Sequence, residues 1–338
     1  METWSLFVIR LPDQQHTKGL IMTTTAPNLT QPLIHEPDQS EPPAPTTALG
    51  PLEFLVGTWT NQNLANDNQG GPASPYSYCL MPLPQEESYI LKNFSYYEEI
   101  TFSAIHGTAP NRGGYGTQVA NTLFYEQRIY FADGPAKDQL VHAENGSWLY
   151  LTDAKQLLGP YGNGEKPGLG DQTVPNSQAP SQKYDIIKQM SVPHGNSILS
   201  AGSYANKTGS PVIEPPPLIL PTGVNTDQYK VKNVGNLNPE FTENPNLPLA
   251  TAIQKNPASS YIQFDVDSND GGHPVTNIGF EQQHAKVSRY FARYWLESFG
   301  SSDYTQLQYS QTIVMDIPVN GTVISFPHVT TNTLTKKN

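Results

Sequence analysis

Leu49-Gly50-Pro51-Leu52-Glu53-Phe54-Leu55-Val56-Gly57-Thr58-Trp59 is the stretch on which the fold turns. It follows a tail rich in Pro and Thr and is the first segment able to bury a core. It reads as a short apolar strand entry, a glycine, and a Trp placed to plug the base of a barrel. Upstream, residues 1–47 form a Pro/Thr-rich tail without apolar periodicity, the composition of a disordered segment. Downstream, residues 48–338 read as a single domain.

From Ala48 to Asp153 the chain reads as strand after strand. Ser88 to Ser95, Tyr97 to Ile105 and Thr122 to Phe131 are β-branched and aromatic, with Asp133-Gly134 as a turn. Leu140 to Thr152 reads as a further hairpin region, turning at Asn145-Gly146. The stretch 154–260 is a Pro/Gly-rich insertion, with Glu214-Pro215-Pro216-Pro217, Asn238-Pro239 and Asn244-Pro245. Proline cannot serve a central ladder, so loops outside the barrel or over its mouth are expected here. Tyr184 to Val192 and Ser197 to Ser203 remain candidate short strands. Glu281 to Phe299 fits a helix nearly as well as a strand, and the β-rich surroundings select a long bent strand. Tyr304 to Ile317, an Asn320-Gly321 turn and Thr322 to Thr335 read as a closing hairpin.

The whole chain has 338 residues with 36% hydrophobic and only 14% charged side chains, 18 Tyr and 4 Trp. Aromatics together with abundant turn residues point to an all-β protein. A net charge of −11 leaves no basic surface for nucleic acid or anionic membrane. No apolar run reaches the length of a transmembrane helix. Trp4 to Ile9 lacks the basic flank and cleavage site of a signal peptide, so a cytoplasmic location is expected. Cys79 is the single cysteine, which excludes an intrachain disulfide framework and a zinc knuckle.

Several segments mimic functional motifs and fall short. Asp265 to Gly271 resembles the front of a calcium loop, but Asp270 stands where Gly is needed and Thr276 where Glu is needed, so it reads as a surface turn. Glu281-Gln282-Gln283-His284 lacks the second His of a zincin. No phosphate-binding or dinucleotide-binding glycine loop is present.

Four blocks in order carry a family resemblance. They are Leu52 to Trp59; Ile100-Thr101-Phe102 leading through Gly107 to Leu123-Phe124-Tyr125-Glu126-Gln127-Arg128; His142-Ala143-Glu144-Asn145-Gly146-Ser147-Trp148; and Leu307 to Met315 followed by His328-Val329 and Thr333-Leu334. In this the chain resembles the nitrobindins, small haem-binding barrels. The resemblance covers about half of the ordered chain. It departs at Thr60-Asn61-Gln62-Asn63, where the family has Gly-x-Gly, and at the central insertion.

The resemblance implies an antiparallel calycin/lipocalin-like β-barrel with long loop insertions. It implies haem b as cofactor, His328 as the iron ligand from the final strand, and Thr58, Trp59 and His142 at the cofactor. It implies reaction with nitric oxide, or a peroxynitrite isomerase-like or peroxidase-like activity. On the bare residues, His328 also reads as a hydrogen-bonding group, and Trp59 and Trp148 as core. His142 and Glu144 share one strand face, either as an acid–base pair or as a satisfied pair at the barrel mouth. The alternative function is a barrel without haem that binds a fatty acid, terpenoid or pigment and isomerises or cyclises it.

Overall fold

The computed structural model describes residues 46–62, 78–85, 88–94, 96–110, 118–132, 135–153, 184–217, 244–270, 275–300, 302–319 and 321–337. The tail reading over residues 1–45 lies outside them, as do the stretches 154–183 and 218–243.

Thirteen strands form one antiparallel sheet. They are β1 (Gly57–Thr60), β2 (Tyr78–Gln85), β3 (Ser88–Phe94), β4 (Tyr96–Pro110), β5 (Gln118–Phe131), β6 (Leu140–Asp153), β7 (Ile186–Val192), β8 (Asn196–Thr208), β9 (Ser260–Asp267), β10 (Thr276–Asn277), β11 (Lys286–Ser298), β12 (Gln306–Val319) and β13 (Thr322–Lys336). The strand order is β1-β4-β5-β6-β7-β8-β9-β11-β12-β13, and a β1–β13 pairing closes these ten into a barrel. β2 and β3 extend the sheet from β13, and β10 pairs with β8. Closure leaves the ten barrel strands without an open edge. The all-β barrel expected from the sequence is therefore present.

One end of the barrel is plugged by the opening stretch. Residues Thr46–Leu55 form a 3-10 helix, with a break at Gly50, whose φ of 53° suits glycine. Leu49, Leu52 and Leu55 are buried with Trp59, whose indole Nε1 donates to Leu55 O at 2.7 Å. Trp59 thus lies in the core, with Lys336 of β13 over its ring at 5.4 Å. Tyr150 packs against Gly50, which places the late part of β6 at this plugged end and His142 toward the opposite rim.

Three readings of local structure change. Asn145-Gly146 is no turn: β6 runs straight through it. Gly146 is needed for close approach, since a Cβ there would meet Gln189 O of β7 at 1.9 Å. The segment 281–299 is not strand throughout. A short helix, Gly279–His284, precedes β11. Most consequentially, β7 and β8 come from the Pro/Gly-rich stretch and stand in the barrel wall between β6 and β9. Their alternating burial follows the ordinary period of two. Among the described residues of that stretch, residues 209–217 and a helix, α1 (Leu247–Lys255), lie outside the wall; the helix buries Leu249 against Trp295 and Tyr261 on the outer face. The helix Gly279–His284 is called α2 below.

Of the calcium-like stretch, Asp265 to Asp267 are the last residues of β9 and only 268–270 turn after it, so the surface-turn reading holds for part of it. Asp265 and Asp267 pair with Arg293 and Arg289 of β11. Among the described residues, no group of His, Cys, Asp or Glu side chains is arranged to hold a metal ion, and no helix is long and apolar enough to cross a membrane.

Candidate functional site

Strand alternation sends every second residue inward, and in this barrel several inward residues are polar. They fall into two hydrogen-bonded groups at mid-height.

The first group centres on Glu144 of β6, which is 3% exposed. Its Oε1 accepts from Tyr125 OH of β5 at 2.9 Å and from Lys188 Nζ of β7 at 3.4 Å. Its Oε2 meets His142 Nε2 at 3.2 Å. Lys188 is buried as deeply, at 1% exposure, and also donates to Tyr290 OH of β11 at 2.9 Å. Its ammonium sits among four rings, 4.9 Å from Tyr290, 5.2 Å from Tyr125, 5.7 Å from Tyr294 and 5.9 Å from Trp148. Aromatic faces offer partial compensation to a desolvated cation.

Burial pushes the Glu144 pKa up, but the Lys188 ammonium, the His142 ring and the Tyr125 hydroxyl outweigh it and hold the carboxyl at about 2. Burial likewise pushes Lys188 down, while the facing Tyr294 and Glu144 bring it net above the ordinary lysine value. The pair is therefore ionic in the folded protein. His142 alone in this group reaches the rim, with its side chain 18% exposed. Beside it stands His194 of the β7–β8 turn, with ring centroids 5.5 Å apart. Burial, and then the neighbouring His142, hold the His194 pKa below the ordinary histidine value.

The second group centres on Glu98 of β4, which is fully buried. Gln127 Nε2 donates to its Oε2 at 2.5 Å, Tyr309 OH to the same oxygen at 2.9 Å, and Asn332 Nδ2 to Oε1 at 2.8 Å. Asn61 occupies the stretch that departs from the nitrobindin pattern. It is buried, accepts from Glu98 N at 2.8 Å and donates to Tyr96 O at 3.0 Å, so it continues the β1–β4 ladder through its side chain.

The residues expected at a cofactor are not gathered in one place. Thr58 bonds Thr101 across β1 and β4, and Trp59 forms the plug. His328 lies on the inward register of β13, half-buried and opposite Ile313. It is eight residues along β13 from Lys336, the partner of Trp59, a span of roughly 27 Å at strand rise. The next inward residues below His328 are Thr330 and Asn332, opposite Gln311 and Tyr309. Gln311 accepts from Tyr290 and Tyr294, and Asn332 and Tyr309 both bond Glu98. This hydrogen-bonded layer does not fit the flat apolar slot of a haem.

The His142–Glu144 pair is the part of the expected site that the fold does bring together. Lys188 and Glu98 carry no motif in the sequence. The one local sign of Lys188 is its place in the alternation Ile186-x-Lys188-x-Met190-x-Val192, where it occupies an inward position. No family model and no curated protein matches this chain.

Proposed function

We propose that the barrel binds a small, largely apolar molecule at the His142 rim and moves a proton on it, with His142 as the acid–base group. The supporting observation is the set of groups around Glu144. Three side chains from three strands occupy both carboxylate oxygens, and only His142 among them reaches solvent. A carboxylate behind an imidazole fixes its orientation and stabilises the imidazolium formed on proton uptake. The ammonium of Lys188 keeps that carboxylate charged inside an apolar wall. Tyr125 and Lys188 hold Oε1, so Oε2 remains directed at the ring.

The walls at this end supply the apolar part. Val192, Ile198 and Val287 are buried in the core cluster, with Ile313 packed on it. A ligand resting there would meet hydrocarbon on its sides, the His142 ring, the neighbouring His194 ring and, across from Ile313, His328. The reaction class that this suits is isomerisation. His142 takes a proton from carbon beside an electron-withdrawing group, the electron pair shifts along the molecule, and the same imidazolium returns the proton at another atom.

Native mass spectrometry of the protein exposed to a mixture of fatty acids, terpenoids and pigments tests the reading. Retention of one class by the wild type, weakened in His142→Gln and abolished by bulk in Val192→Trp, supports it. Retention that ignores both changes rejects the rim as the site. A Soret band in protein made with iron supplied would restore haem as the ligand.

A further inference from the structure

We propose that the chain Glu98–Tyr309–Tyr96 is a proton-holding site inside the barrel, and that its filling regulates the charge beside Glu144. The second half of this rests on the acid–base reading of His142; the first half stands without it.

The two buried carboxylates differ in what surrounds them. Glu144 faces Lys188, which can only donate, so its arrangement suits the ionised form alone. Among the described residues, the side-chain donors to Glu98 are the neutral Gln127, Tyr309 and Asn332. The hydroxyl among them can reverse. Tyr309 OH lies 2.9 Å from Glu98 Oε2 and 3.0 Å from Tyr96 OH, and Tyr96 OH lies 2.8 Å from the carbonyl oxygen of Thr331.

With Glu98 ionised, Tyr309 donates to Oε2. With a proton on Oε2, that new O–H donates to Tyr309, Tyr309 turns its hydrogen to Tyr96, and Tyr96 donates to Thr331 O. Gln127 and Asn332 keep their bonds in both states. One hydroxyl rotation, at Tyr309, accommodates the proton, since Tyr96 already donates to Thr331 O; no heavy atom moves, and no donor is left unpaired. Thr331 O ends the chain as an acceptor, which gives the filled state its direction.

The groups facing Glu98 agree with this. β5 brings Gln127 and, two residues away on the same inward face, Tyr125. β6 brings Glu144, whose negative charge disfavours a second one. β7 brings Lys188, already engaged by Glu144 and Tyr290. β12 and β13 bring Tyr309 and Asn332, and β11 brings Tyr294, with its ring 5.6 Å from that of Tyr309. The neutral Asn61 follows directly on β1, and β4 itself brings Tyr96. Burial raises the carboxyl to about 7 against the pull of its three hydrogen bonds. Filling the site leaves one carboxylate and one ammonium in the two groups, and emptying it leaves an excess negative charge next to the base that orients His142.

The test is a pH titration of the folded wild-type protein carrying carboxyl-labelled glutamate, followed by carbon NMR. Glu98→Gln assigns the Glu98 signal, and Tyr309→Phe assigns it by its local shift if the first variant does not fold. A midpoint near 7 supports the proposal, and ionisation at the ordinary 4.5 overturns it. The regulatory half is read in the pH profile of proton exchange on the bound ligand. Loss of a limb near neutrality in Glu98→Gln supports it, and an unchanged profile overturns that half. Exchange that persists in His142→Gln would reject the acid–base reading while leaving the Glu98 titration standing.

Discussion

Glu144 stays ionised where most carboxylates would be neutralised, because a cation, an imidazole and a phenol converge on it. Removing one partner of a buried ionic pair leaves the other uncompensated, at about 3–5 kcal/mol. Lys188→Met should therefore lower the unfolding free energy in urea by about that amount. Combined with Glu144→Gln it should cost clearly less than the two single changes together. Additive losses would mean that the two groups do not interact. Trp59→Ala should cost about 3–5 kcal/mol, since the indole is fully buried in the plug and bonded to Leu55 O. A loss below 1 kcal/mol would remove the plug from the account. At this scale the sequence was informative where residues lie close in the chain. His142 and Glu144 are two apart on one strand, so their shared face follows from alternation alone. Lys188 reaches Glu144 only through the β6–β7 register, Trp148 opposite Lys188, which no local pattern displays.

At the scale of elements, the strands that were legible are those with dense aromatic and β-branched residues, such as β5 and β12. β7 and β8 were harder, because prolines at positions 211 and 215–217 and glycines on either side gave the whole region the look of loop. Only their period-two burial marks them as wall strands. Within β6, Asn145-Gly146 is a pair that favours turns in isolation. The strand overrides that preference because Gly146 lets the backbone of β7 approach. Gly146→Ala should therefore disrupt the β6–β7 ladder. Amide hydrogen exchange over 145–150 and 186–191 should rise sharply, while exchange over 310–335 in the β12–β13 hairpin should change little. Equal protection in variant and wild type would show that the close approach is not needed.

For the whole molecule, three buried carboxyls among the described residues have pKa values moved far enough to shape how stability follows pH. Glu98 and Glu297 are raised by burial to about 7 and about 8 from 4.5. The unfolded chain releases these protons first, so stability falls as pH climbs from 4.5 through 8. Glu144 is lowered to about 2, so its contribution is complete above 4.5 and is lost as pH falls toward 2. Together these groups place the stability maximum near pH 4.5, and urea unfolding across that range should trace a peak there. A curve rising steadily to neutrality would contradict the burial of Glu98 and Glu297. The closed barrel follows from what the sequence displays, many aromatic strands and a Trp-bearing plug. The polar interior does not, because its members come from seven strands and meet only once the sheet is closed. The most direct measurement of the acid–base reading is deuterium uptake by the retained apolar molecule in heavy water. The account predicts incorporation with the wild-type protein and retention without incorporation in His142→Gln; equal incorporation in both proteins would contradict it.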